Sequence, residues 1–219
     1  MTIALEAYFA FANCQFPKFP TKIIFQDRQS RCRHFIKALA NFNMLSIIYD
    51  KLLTYAWDNN VNHETMWFVE DPCSCSYKYA KYDIKPKPYF PELKLLATFA
   101  EKVTGSEETN CVNVNRYQNQ FSKVGLHSDS EDLFQARFVP STIISISLGA
   151  ARTFIVQAND GSASYSIDLQ HGDIATMEGL CQRDYKHALL PAPQPCGPRI
   201  NLTFRKLVQH KQYCSLANM

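Results

Sequence analysis

The stretch VGLHSDSED, residues 124–132, sets a histidine, an aspartate and a glutamate at every second position: His127, Asp129 and Glu131. In an extended strand, residues two apart face the same way, so His127 and Asp129 bring an imidazole nitrogen and a carboxylate oxygen to one point. Two ligands of a facial metal site are thus in hand. A third must come from elsewhere.

Two histidines and one carboxylate on one face of an octahedron are the ligands of non-heme Fe(II) oxygenases, and the opposite positions stay open for an oxidant and a co-substrate. His187, in RDYKHALLP, lies far enough downstream for a sheet to go out and return, so that a late strand lies beside the first. The competing His171, in LQHGDI, reads as a tight turn. Further on, RINLTFR puts Arg199, Asn201, Thr203 and Arg205 on one strand face and Ile200, Leu202 and Phe204 on the other, which is apolar enough to be core. Two arginines on a buried side need an anion. Their Cα atoms span roughly 20 Å at ~3.3 Å per residue, a gap that two long side chains narrow around a small dicarboxylate such as 2-oxoglutarate.

Such a site needs a sheet to carry it. The chain has 219 residues, 46% of them hydrophobic, which fits one domain with a full core. From Phe42 to Trp57, Leu45, Ile48, Tyr49, Leu52, Leu53 and Ala56 recur at helical spacing. A second helix is expected in PELKLLATFAEKVTG, with Pro91 near its start, Leu93, Leu96, Phe99, Ala100 and Val103 on one side, and Gly105 where a C-cap belongs. From Asn110 onward the runs CVNVNRY, TIISISLG, RTFIVQ, SYSIDL, IATM and RINLTFRKL are rich in β-branched and aromatic residues and are separated by turn sequences. They predict a mainly β fold, an antiparallel sandwich or barrel, with the helices flanking it. Between the helices, residues 66–91 carry six aromatics beyond Trp67, interleaved with Lys78, Lys81, Lys85 and Lys87. Bases stack on aromatics while phosphates follow cations, so this segment suits nucleic acid.

The eight cysteines form no disulfide framework, and reduced thiols in an intracellular compartment are expected. Only Cys73 and Cys75 stand close together. A structural zinc site there would have to recruit distant ligands, so the two read as loop cysteines. A net charge of +3 excludes a globally polycationic nucleic-acid binder without excluding local patches. Arg28, Arg31, Arg33 and Lys37 read as a solvated face. No run approaches the length needed to cross a bilayer, and the N-terminal stretch lacks a secretory n-region, so a soluble, unexported protein is expected, cytoplasmic or nuclear.

With these residues in view, the chain resembles the AlkB-like Fe(II)/2-oxoglutarate dioxygenases. The resemblance rests on NRY (115–117), GLHSDSE (125–131), SISLGA (145–150), LQHGDIATM (169–177), YKHALLP (185–191) and RINLTFR (199–205), in the family's order and spacing. Weaker similarity runs back through SYKYAKYDIKPKPYFP at 76–91. One departure is Gln120, which stands where the family usually has a glycine. The motifs are also similar to AlkB-like domains in replicases of plant RNA viruses.

The resemblance implies a double-stranded β-helix, or jelly roll, with Fe(II) held by His127, Asp129 and His187. It implies that Asn115, Tyr117, Arg199, Asn201 and Arg205 surround 2-oxoglutarate. It further implies that Glu131 accepts hydrogen bonds from the exocyclic amine of a target base, that Tyr79 stacks on the flipped base, and that Tyr77 lends its hydroxyl. The expected organisation is a single, monomeric domain. It comprises a variable helical part at 1–65, a nucleotide-recognition lid at 66–91, a helix plus catalytic jelly roll at 92–207, and a tail at 208–219. The expected reaction consumes O2 and 2-oxoglutarate and removes N-methyl groups from 1-methyladenine and 3-methylcytosine in DNA or RNA, releasing formaldehyde, succinate and CO2. The alternative is the same chemistry on a protein or small molecule.

Overall fold

The computed structural model describes residues 18–39, 44–59, 62–79 and 82–217, of which Tyr79 is described by its backbone alone. Strands dominate, and the six runs expected after Asn110 are all present: β8 Cys111–Tyr117, β10 Ser141–Gly149, β11 Arg152–Ala158, β12 Ser164–Leu169, β13 Ile174–Gly179 and β15 Arg199–Arg205. With β1 Thr21–Gln26, β2 Ser30–Phe35, β3 Asp58–Asn59, β4 Glu64–Val69 and β7 Pro86–Pro88, four of them build the larger sheet, in the order β1-β2-β13-β10-β15-β8-β4-β3. β7 joins it by parallel pairing with β4. The smaller sheet has the order β12-β11-β14-β9, with β9 at Val124–His127 and β14 at Tyr185–Leu189. A hairpin of β5 Tyr77–Tyr79 and β6 Tyr82–Ile84 stands apart from both.

The period-2 alternation of β15 explains how the sheet serves two cores at once. Ile200, Leu202 and Phe204 face a cluster that also holds Leu45, Ile48 and Leu52 of the first helix and Leu93, Leu96 and Ala100 of the second. On the opposite side the larger sheet meets the smaller one, where Tyr117, Ile143, Ala175 and Met177 pack with Phe154, Val156, Ile167, Leu169 and Leu189. This is the two-sheet arrangement expected of a jelly roll, with helices on one outer face.

The second helix runs Pro91–Thr104 and ends where expected, on Gly105 at φ 66°. The first is shorter than its periodicity suggests, Leu45–Leu53 rather than 42–57, and residues 42 and 43 lie outside the described residues. Thr54 ends it, its hydroxyl donating to the Lys51 carbonyl, and Trp57 turns away to lie under the Arg116 guanidinium. The N-terminal part is also not simply helical: β1 and β2 form a hairpin whose second strand pairs with β13. The reason lies in the alternation of SRCRHF, which buries Cys32 and His34 and turns Arg31 and Arg33 the other way. Those arginines both pair with Glu178 on β13, so they are not a free solvated face. Within residues 66–91, Met66 to Val69 run through the larger sheet as fully buried core, and the hairpin strands account for 77–79 and 82–84.

Gly149 closes β10 at φ 90°, where an added Cβ would meet the Pro198 carbonyl oxygen at 2.4 Å. Only glycine allows this approach, and it fixes the pairing of Gly149 with Arg199 at the start of β15.

Candidate active site

β9 and β14 pair antiparallel with His127 opposite His187, the return expected of a late strand. The two rings lie 4.3 Å apart, centroid to centroid. Asp129 Oδ1 sits 3.6 Å from His127 Nε2 and 3.8 Å from His187 Nε2, so the three donors converge. The alternation that led to this trio is only half a strand, however. β9 ends at His127, and Asp129 and Glu131 lie in the loop beyond it.

Asp129 is held by neighbours instead of by strand geometry. Its N–H donates to Gln182 Oε1 at 2.9 Å, from the short helix Cys181–Asp184, and its Oδ2 accepts from Arg205 Nε at 3.0 Å and from Arg205 Nη2. Burial alone would raise the Asp129 carboxyl, but Arg205 and the two histidines outweigh it and hold the group well below the usual carboxylate range. His187 is pushed down to about 3, chiefly by burial and then by His127. The site therefore presents an ionised carboxylate beside a neutral imidazole, the charge states a metal requires of its ligands. The Gly125 carbonyl, 2.8 Å from His127 Nδ1, can only accept, so Nδ1 carries the proton and Nε2 is left as the donor toward the site.

Behind the trio, the polar face of β15 lines the same cavity with Arg199, Asn201, Thr203 and Arg205, joined by Asn115 and Tyr117 of β8. Arg199 is 1% exposed and donates to Ser147 Oγ at 2.8 Å and Asn201 Oδ1 at 2.7 Å, yet its Nε is buried with no partner. Among the described residues no carboxylate pairs with it, and burial pushes its guanidinium down to about 10. Arg205 Nη1 is buried and, among the described residues, unpartnered as well. Two guanidinium N–H groups without acceptors, in one cavity, fit a small dicarboxylate whose fork matches theirs.

On the outer side, Tyr77 of β5 is buried against Trp67, with ring centroids 5.0 Å apart, and its hydroxyl donates to Glu131 Oε1 at 2.7 Å. Burial first, and then the charge of Asp129, raise the Glu131 carboxyl, and its Oε2 is buried without a partner among the described residues. Tyr79 pairs through its backbone with Tyr82, while its side chain lies outside the described residues, as does Lys81. His171 is an exposed turn residue whose Nδ1 accepts from the Gly149 N–H, so it is no rival to His187. Gln120 and Asn119 both avoid positive φ, because the Asn119 side chain accepts from the Phe121 N–H and closes a different turn.

Three contributors were not singled out in the sequence. His63 lines the cavity and stacks on Tyr117 at 5.5 Å, in a region outside the aligned motifs. Burial lowers its pKa. Gln182 positions Asp129, and Ser147 positions Arg199. The SISLG alternation puts Ser145 and Ser147 on the cavity face, and that pattern could have revealed the last of them.

The family model described as the 2OG-Fe(II) oxygenase superfamily matches residues 46–205. The chain belongs to this family. Its relatives include human DNA oxidative demethylase ALKBH2, 27% identical over 201 residues, which cover 86% of this chain and 69% of that protein. Human alpha-ketoglutarate-dependent dioxygenase alkB homolog 3 is 33% identical over 151 residues, 64% of this chain and 50% of that protein, so the chain spans about half the length of this relative. A solved structure of OsALKBH1 superposes with a TM-score of 0.61 at 20% identity, covering 83% of this chain and all of that one, and shows the shared fold. This AlkB-like oxygenase has the family's jelly-roll core, and the family's cofactors are Fe(II), 2-oxoglutarate and O2. His127, Asp129 and His187 are its candidate iron site.

Proposed function

We propose that this AlkB-like oxygenase demethylates N-alkylated bases, 1-methyladenine and 3-methylcytosine, in DNA or RNA. Bound Fe(II) and 2-oxoglutarate would supply oxidation of the N-methyl group, with succinate, CO2 and formaldehyde as the released products. In this reading His127, Asp129 and His187 hold the iron. Arg199 and Arg205 clamp the two carboxylates of 2-oxoglutarate, with Asn115, Tyr117 and Asn201 shaping the space between them.

The observation that carries the substrate assignment is Glu131. One of its oxygens is taken by Tyr77, the other is buried with no partner among the described residues, and the residue stands two positions beyond an iron ligand. A buried acceptor left open beside a reaction centre suits a donor on the substrate, and the exocyclic amine of adenine or cytosine is such a donor. The hairpin residues Tyr77, Tyr82 and Ile84 line the same cavity as the iron site, and Tyr79 on that hairpin is placed in sequence to stack on a flipped base. Lys78 on the hairpin is largely exposed and suits a phosphate. The two human relatives, named a DNA oxidative demethylase and an alpha-ketoglutarate-dependent dioxygenase, support the reading.

The test loads the protein anaerobically with Fe(II), then adds O2, 2-oxoglutarate and methylated DNA or RNA oligonucleotides, with mass spectrometry of the bases. Loss of one methyl group per succinate formed is expected. Succinate formation with every base unchanged would sink the proposal.

A further inference from the structure

Far along the chain from the iron site, Cys73, Cys75, His210 and Cys214 bring four donor atoms within 4.8 Å of one another. His210 Nδ1 lies 3.7 Å from Cys73 Sγ, 3.7 Å from Cys75 Sγ and 3.5 Å from Cys214 Sγ, while Cys214 Sγ and Cys73 Sγ are 3.9 Å apart. Hydrogen bonding does not account for this. A neutral imidazole nitrogen has one lone pair to offer, and three sulfurs crowd around it. Nor is it a disulfide, since an S–S bond is about 2.0 Å long.

A tetrahedral zinc ion does account for it. With Zn–S of about 2.3 Å and Zn–N of about 2.0–2.1 Å, the edges of the ligand tetrahedron are about 3.8 Å between sulfurs and about 3.6 Å between sulfur and nitrogen. The observed separations match both edge types. We infer that Cys73, Cys75, His210 and Cys214 form a structural Zn(II) site that fastens the segment after β15 to the root of the β5–β6 hairpin.

The surroundings support a thiolate-bound ion. The Ser74 N–H is directed at Cys214 Sγ at 3.4 Å and the Lys211 N–H at Cys75 Sγ at 3.2 Å, so backbone donors would share the charge of coordinated sulfur. Cys75 and Cys214 are buried among Trp67, Leu133, Phe134 and Leu207, which keeps water out. Four protein donors with three sulfurs make a closed, soft site that selects zinc, whereas the nitrogen and oxygen trio at the iron centre leaves positions open. Cys73 and Cys75, read from sequence as loop cysteines for want of distant ligands, do lie in a loop, and the fold brings His210 and Cys214, four residues apart in the tail, beside them.

The fastening leads directly into the substrate side. Cys75 O accepts from Trp67 Nε1 at 2.8 Å, and the next residue, Ser76, bonds through its N–H to the Tyr213 hydroxyl at 3.0 Å. Tyr77 follows and reaches Glu131. The zinc assignment does not depend on which substrate the iron site oxidises.

Metal analysis of the reduced full chain tests it. About one zinc per chain should persist after a mild chelator has stripped the iron. Exchange with Co(II) should give the intense near-ultraviolet sulfur-to-cobalt charge-transfer absorption that the iron trio, having no cysteine, cannot produce. Cys214→Ser and Cys73→Ser should abolish that absorption and His127→Ala should leave it unchanged. On wild-type protein, removing the zinc should speed amide hydrogen exchange at residues 73–84 and 208–217, which needs no variant to fold. The inference is overturned if the chelated protein holds no zinc and its three thiols are alkylated equally fast with and without added zinc. Iron in place of zinc at these ligands, or recovery of Cys73 and Cys214 as a disulfide, would overturn it equally.

Discussion

His127, Asp129 and His187 gather three nitrogen and oxygen donors on one wall of a cavity that also holds unpartnered arginine N–H groups. Cys73, Cys75, His210 and Cys214 gather four donors, three of them sulfur, in a closed cluster packed against apolar side chains. The first set is incomplete as coordination and stays reactive; the second is complete and can only hold. The second also joins distant stretches of chain, whereas two of the three iron donors sit on strands already paired to each other. An open set rests on a sheet that orders it; a closed set orders the loops that make it.

The comparison is broken most severely at the open site. His187→Ala should lower succinate formation by more than about 100-fold, since loss even of an outer partner of a metal ligand costs roughly 10–100-fold. An unaffected turnover rate would remove His187 from the iron site. At the closed site the loss should appear as stability. Stripping zinc, or Cys75→Ser, should cost on the order of 3 kcal/mol, a drop in Tm of about 6–12 °C for a domain of this size, while the iron ligands stay in place. Calorimetry with and without chelator decides it.

Protons probe the open site in iron-free protein. His187 titrates at about 3 when folded and near its ordinary value of 6.5 when unfolded, so below pH 6.5 the unfolded chain binds more protons and stability falls as pH falls toward 3. The loss should reach about 2 kcal/mol by pH 5, and denaturant titration of iron-free wild type against His187→Gln should show the steeper slope in the former, the variant keeping only the part that His63 and the carboxylates contribute. A smaller effect is expected from Arg199→Lys, which keeps the charge but removes the fork. KM for 2-oxoglutarate should rise about 10-fold, as steady-state kinetics would show. Smallest is Tyr77→Phe, which takes one hydrogen bond from Glu131. Demethylation of oligonucleotides should fall about 5-fold, with uncoupled succinate formation changing less.

How far the sequence carries depends on whether a residue's role is set by local repetition. RINLTFR states both of its faces in seven residues, and the structure uses both, one for the helices and one for the cavity. His187 was legible because a return strand must lie beside the one it pairs with. Asp129 reached its place by a different route from the one its spacing suggests, through Gln182 and Arg205 in place of a continuing strand. The turning away of Trp57 after the helix and the strand identity of Thr21–Gln26 depend on partners contributed elsewhere, Arg116 in one case and β2 with β13 in the other. The cysteine cluster is the extreme case. Cys73 and Cys75 carry half of the donors, and nothing in their neighbourhood points to His210 and Cys214. Only the closed fold brings the pairs together.

Arg205 spends one edge of its guanidinium on Asp129 and keeps Nη1 without a partner. A cation shared in this way makes two equilibria one. Whatever anion takes the spare N–H changes how much positive charge Asp129 feels, and hence how strongly it donates to a metal. Binding of metal and of anion at this site are then reciprocal, each altering the other's affinity by the same factor whichever arrives first.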